Sequence, residues 1–148
     1  MRRASPLLLA ILLVAGCGSG SHGQRLTREQ FAVKADAICA RYKQKTQDAL
    51  SRPTTLSDLA DLADQVLPLL HTARRELRSL RPPQNEEATA NAWLDEFDVS
   101  IDDVEKIRAA ARKNDRAALQ EAAQPALRHN QHANDLAGRL GMTVCNKD

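Results

Sequence analysis

The sequence predicts an all-α fold, an up-down-up-down four-helix bundle with a disulfide from helix 1 to the C-terminal tail, on three observations. Apolar residues recur at three- and four-residue spacing through four successive stretches. Capping residues and prolines separate those stretches by only a few positions, and short connections make neighbouring helices antiparallel. Two cysteines, Cys39 and Cys145, stand where the first helix and a tail folding back from the fourth would meet.

The first helix opens at Thr27-Arg28-Glu29-Gln30, a capping box in which the Thr27 hydroxyl takes the Gln30 amide and the Gln30 side chain reaches back. Phe31, Ala35, Ile38, Tyr42 and Ala49 follow at helical spacing, and the helix stops near Ser51, before Pro53. The second starts at Thr55 or Ser57 and carries the stripe Leu56, Leu59, Leu62, Val66, Leu70, Ala73, Leu77 and Leu80 until Pro82-Pro83 ends it. Pro83 suits the first turn of the third helix, which runs from Gln84 to about Lys113 through Ala90, Trp93, Phe97, Ile101, Val104 and Ile107. Asn114 or Asp115 caps the fourth, whose apolar positions Leu119, Ala122, Ala126, Ala133, Leu136 and Leu140 lead to Gly141, a left-handed terminator.

Charge is polarised along these helices. Acids lead and bases trail in the second helix, Asp58, Asp61 and Asp64 before Arg74, Arg75, Arg78 and Arg81. The third repeats the order, from Glu86 and Glu87 to Arg112 and Lys113. This complements each helix dipole and, in an antiparallel pair, sets opposite charges face to face. It also leaves an acidic stripe, Asp95, Asp98, Asp102 and Glu105, that a cation could meet.

Ahead of the helices, Arg2 and Arg3 precede the apolar run Leu7 to Val14, which ends in Val14-Ala15-Gly16-Cys17. A basic start, a short apolar core and small residues describe a secretory signal, and the run is too short to span a bilayer. The cysteine after the small pair resembles a lipobox, with diacylated Cys17 as the mature N-terminus. The expected organisation is a removed signal at 1–16, a lipidated cysteine and flexible tether at 17–26, and a bundle domain at 27–148. The expected location is the extracytoplasmic face of a bacterial cell membrane, through that lipid. In such an oxidising compartment Cys39 and Cys145 should be bonded. The formal charge of +2 is accounted for by the two signal arginines, and the four aromatic residues form no basic stacking surface, which excludes a nucleic-acid binder.

No Glu-x-x-His, His-Glu-x-x-His, Gly-x-Ser-x-Gly or phosphate-loop pattern occurs, so no catalytic residue, metal or cofactor is expected. What remains is a pair of prolines inside helices, Pro68 and Pro125, each followed by a histidine, His71 and His129. If the two kinks share a level of the bundle, a cavity there could hold both imidazoles. His71 lies on the flank of its stripe. His129 shares a face with Ala122, Ala126, Ala133 and Leu136, as a core histidine satisfied by one hydrogen bond or as a ligand, and His132 could add a second ligand or be solvated.

The segments Phe31-Ala32-Val33-Lys34-Ala35-Asp36-Ala37-Ile38-Cys39 and Leu140-Gly141-Met142-Thr143-Val144-Cys145 resemble small exported helical lipoproteins of actinobacteria, with an A-D-x-I-C segment in the first helix and a G-x-x-x-C tail; Met142 stands where leucine is usual. The resemblance implies the bundle and its disulfide and carries over no activity or functional residue. Two functions follow as expectations: a non-enzymatic envelope lipoprotein presenting its bundle to a protein partner, or a binder of a small ligand, haem or metal in the proline-kinked centre.

Overall fold

The computed structural model describes residues 24–49 and 52–147, and all statements below concern these. The expected signal, the expected lipidation at Cys17 and most of the expected tether lie outside the described residues. The regular structure is α1 (Arg28–Ala49), α2 (Leu56–Arg78), a 3-10 turn (Gln84–Glu86), α3 (Glu87–Arg112) and α4 (Arg116–Arg139). These helices form the expected up-down-up-down bundle, and none is long and apolar enough to cross a membrane.

Each boundary has a local cause. The Thr27 amide donates to Gln30 Oε1 at 3.0 Å while the Gln30 amide donates to Thr27 Oγ1 at 3.2 Å, the predicted capping box. Thr55 and Asp58 make a second one at α2, and Asp115 accepts the Ala118 amide at α4. Asn114, at φ 52°, turns the chain between α3 and α4, and Gly141, at φ 82°, ends the last helix, since asparagine and glycine bear the left-handed conformation best. Pro68 and Pro125 both lie within continuous helices.

Ion pairs record the antiparallel register. Asp64 near the start of α2 receives Arg108 and Arg112 near the end of α3, whereas Arg74 and Arg78 near the end of α2 meet Asp98 and Asp95 on the first half of α3. The acidic stripe is therefore largely spent within the molecule. Burial pushes the Asp98 carboxyl up, but hydrogen bonds and charge from Arg74 and Arg78 outweigh it and hold the group below the usual range. Exposed pairs of this kind contribute little stability each and serve mainly to fix which residues face one another.

The core is not uniform along the bundle. At the end where α1 begins and α4 finishes, Phe31, Ala35, Trp93, Leu77, Leu136, Ala137, Leu140 and Met142 form one buried cluster, with Phe31 and Trp93 edge to face at 6.5 Å. Towards the other end the helices pack differently. Buried residues of α4 are confined to Ala133, Leu136 and Ala137, and α1 has no described buried residue after Tyr42. Tyr42 turns towards α2, its hydroxyl donating to Glu76 Oε1 at 2.6 Å. Backbone packing is close between α3 and α4 and between α2 and α3, while α1 and α4 scarcely approach one another.

The segments flanking the helices, Arg25 with Leu26 and the tail after α4, are fastened at the tight end. The expected tether stops short of Arg25: the Leu26 amide donates to the Arg81 carbonyl at 2.9 Å, and Arg25 reaches Pro82 O and Glu87, so both residues belong to the bundle. The tail returns along α1, where Cys39 and Cys145 are bonded with their Cα atoms 5.4 Å apart. One turn before Cys39, Asp36 accepts four hydrogen bonds from the tail. These come from the amides of Thr143 (2.8 Å), Val144 (3.0 Å) and Cys145 (3.0 Å) and from the Thr143 hydroxyl (3.1 Å). Every core residue among the described residues, and both bonded cysteines, lie between Gln24 and Lys147, so this segment carries the described core and its covalent tie.

Two outcomes are expected. Replacing Cys39 and Cys145 by serine, or adding reductant, should cost about 4 kcal/mol for a closed loop of this length, read as the change in urea midpoint. Burial raises the Asp36 carboxyl, but its tail donors outweigh this and hold it below the ordinary 3.8. Its stabilising contribution is therefore complete above that ordinary value and is lost as pH falls through the lowered folded one. Asp36→Ala should remove about 2 to 3 kcal/mol at neutral pH and flatten the acid limb of the stability profile, as followed by circular dichroism.

Candidate functional site

Where α4 is not covered by α1, the molecule keeps a cavity of about 550 Å³. Its construction follows from residue size. α4 offers Ala123, Ala126 and Ala133 to a wall of α3 made of Trp93, Phe97, Val104 and Ile107, and short side chains facing long ones leave space unless a further layer fills it. Leu70 of α2 also lines it, Leu127 stands 59% exposed at its edge, and the Cys39–Cys145 disulfide and Lys147 line it on the side of the tail. A volume of this size, mostly apolar walls and a few polar groups are the ordinary attributes of a small-molecule site.

The polar groups are Ser100, Asn130, Asn134, Lys147 and Asp103. Among the described residues Asp103 is the only charged side chain that is buried, at 2% exposure. Its Oδ2 lies 2.6 Å from His129 Nδ1 and its Oδ1 3.4 Å from Lys106 Nζ. With Asp103 ionised, the ring proton sits on Nδ1, and the imidazole bridges α4 to α3 across the side of the cavity. Asp103 also borders a second cavity of about 430 Å³ on the α3–α4 surface, lined by Lys106, Lys113, Asp115 and Glu121 and containing Pro125.

The histidines singled out in the sequence each find a carboxylate of α3. His129 has Asp103, His132 has Glu96 at 2.8 Å, and His71 has Glu105 at 3.9 Å. They are not brought together. Asp103 and Glu105 are two residues apart, which places them on opposed sides of a helix, so His71 and His129 approach α3 from different flanks. His71 lines a small cleft with Arg74, Asp98, Ile101 and Asp102, and Pro68 is exposed and borders neither of the two α3–α4 cavities. The cavity shared by two kinks and two imidazoles is therefore not formed. Only Pro125 contributes to one, because the space lies between α3 and α4 and not on the α2–α4 diagonal. Among the described residues no three side chains of the metal-ligating kinds converge.

Sequence reasoning passed over two residues that matter here, Asp36 and Asp103. Asp36 was visible as the acid of the A-D-x-I-C segment one turn before a cysteine, but its donors lie more than a hundred residues away. Asp103 stood among the acids that balance the α3 dipole, and its position four residues before Ile107 was the signal that it faces inward.

No known protein family, curated protein or solved structure matches this chain.

Replacing His129 by alanine should leave the buried Asp103 with the distant Lys106 alone and cost about 1 to 3 kcal/mol, the penalty of an under-satisfied buried acceptor. Replacing both Asp103 and His129 by leucine should recover most of that loss, because exchanging a buried polar pair for apolar groups is close to neutral. Urea unfolding of the three chains checks both statements.

Proposed function

We propose that this chain is a non-enzymatic envelope lipoprotein, held at the extracytoplasmic membrane face through Cys17, whose bundle binds a small apolar molecule between α3 and α4. The single observation that carries the binding role is the apolar cavity of about 550 Å³, which the fold leaves empty of its own side chains. A bundle selected for stability alone would fill such a space, since each missing side chain forfeits contact and hydrophobic energy. The address rests on the lipobox-like Val14-Ala15-Gly16-Cys17, and the non-enzymatic reading on the use of the buried carboxylate and its histidine as a bridge between helices.

Docking of the bundle onto an envelope protein is the second reading. It draws on Val33 and Leu127, exposed at 69% and 59%. One is on α1 and the other on α4, and single exposed apolar side chains are common on protein surfaces, so this reading is the weaker.

The test is titration of the segment from Gln24 onward with a neutral apolar fluorophore such as N-phenyl-1-naphthylamine. Saturable one-to-one binding is expected, and Ala126→Phe, which places a ring in the cavity, should abolish it while leaving the melting temperature unchanged or higher. No saturable binding by the unsubstituted segment would sink the proposal.

A further inference from the structure

We infer that the ligand of this cavity is a long-chain fatty acid whose carboxylate is held by Lys147, an inference that rests on the binding role proposed above. Shape comes first. Along α3 the lining runs from Trp93 to Ile107, fourteen residues or about 21 Å, and along α4 from Ala123 to Asn134, about 16 Å. A half-open space of this length, with small alanines along one side, accommodates an extended chain lying along the two helices. One chain fits the volume; a two-chain lipid would need a second channel.

Charge then sets the direction. Asp103, the only acid in the lining, already has His129 and Lys106 on its two oxygens. Lys147 is the only base in the lining, and its ammonium makes no ion pair or side-chain hydrogen bond among the described residues. It lines the cavity with the disulfide, where the tail meets α1, and its backbone amide donates a hydrogen bond to the Val144 carbonyl at 3.2 Å. A cation at one end of an apolar channel, with the opposite end lined by Ile107 and Ala123, matches an anionic head on an aliphatic tail. The head would lie at Lys147 and the tail would run past Phe97 and Val104.

Trp93, the sole tryptophan of the sequence, lines the same channel and reports on occupancy by its fluorescence. The experiment titrates the segment from Gln24 onward with palmitate and with hexadecanol, which has the same chain and no charge, using the unsubstituted segment and Lys147→Gln. Lys147 is exposed and outside the core, so the substitution leaves the fold intact. Palmitate is expected to bind about tenfold more tightly than hexadecanol, and Lys147→Gln to remove that difference while leaving hexadecanol unchanged. Equal binding of the two ligands, or a palmitate affinity indifferent to Lys147→Gln, overturns the fatty-acid assignment and leaves the apolar cavity standing. Failure of both ligands and of the neutral fluorophore overturns the binding role and this inference with it.

Discussion

The carboxylate of Asp36 is the point on which the architecture depends. Helices joined in series by short turns hold their sequence neighbours together, but nothing in such a series obliges the first helix to stay with the last. Here the tail of the fourth is captured on the first by three backbone amides and a hydroxyl that converge on one side chain, and the disulfide lies one turn further along α1. A charged acceptor satisfied by several backbone donors is worth more than a neutral hydrogen bond. It also orients the tail segment that carries Cys145, which sets the two sulfurs within bonding reach.

From that fastening the rest of the bundle divides in two. On the near side, aromatic and leucine side chains of all four helices interlock around Phe31 and Trp93. On the far side, α1 leans to α2 through Tyr42 and Glu76, and α2 and α3 keep their own contact through Ala60, Ala63, Leu67, Ile101, Ala110 and Ala111. α4 is left with α3 as its principal neighbour. The three histidine–carboxylate pairs all involve α3, which makes that helix the spine to which α2 and α4 are attached.

How much of this was legible depended on range. The caps at Thr27, Thr55 and Asp115, the turn at Asn114, the terminator Gly141 and the pairing of Cys39 with Cys145 all follow from residue types acting over a few positions or from one strong covalent preference. The opposite polarity of charge along α2 and α3 foretold which halves face each other, and Asp64, Arg74 and Asp98 bear that out. The partner of a particular polar side chain was not legible, because whether His129 meets a metal, water or Asp103 is decided by the rotation of α4 about its axis. The cavity was equally hidden. An alanine-rich face reads the same whether a neighbour covers it closely or stands away, and the lean of α1 that decides the matter is set by Tyr42 and Glu76, neither of which touches α4's sequence.

The placement of the disulfide in the cavity wall has a consequence for how the molecule comes into being. Its two cysteines are 106 residues apart, so one side of the cavity is made partly from α1 and partly from a tail that follows α4. Contacts this distant in sequence form late, because the intervening chain must first be ordered. α2, α3 and most of α4 can assemble pairwise as they emerge, yet this wall of the cavity exists only once the segment carrying Cys145 has been delivered and oxidised. A chain interrupted before Cys145 or kept reduced would thus hold helices without this wall of the cavity, and delivery of that one cysteine becomes a condition of the cavity itself.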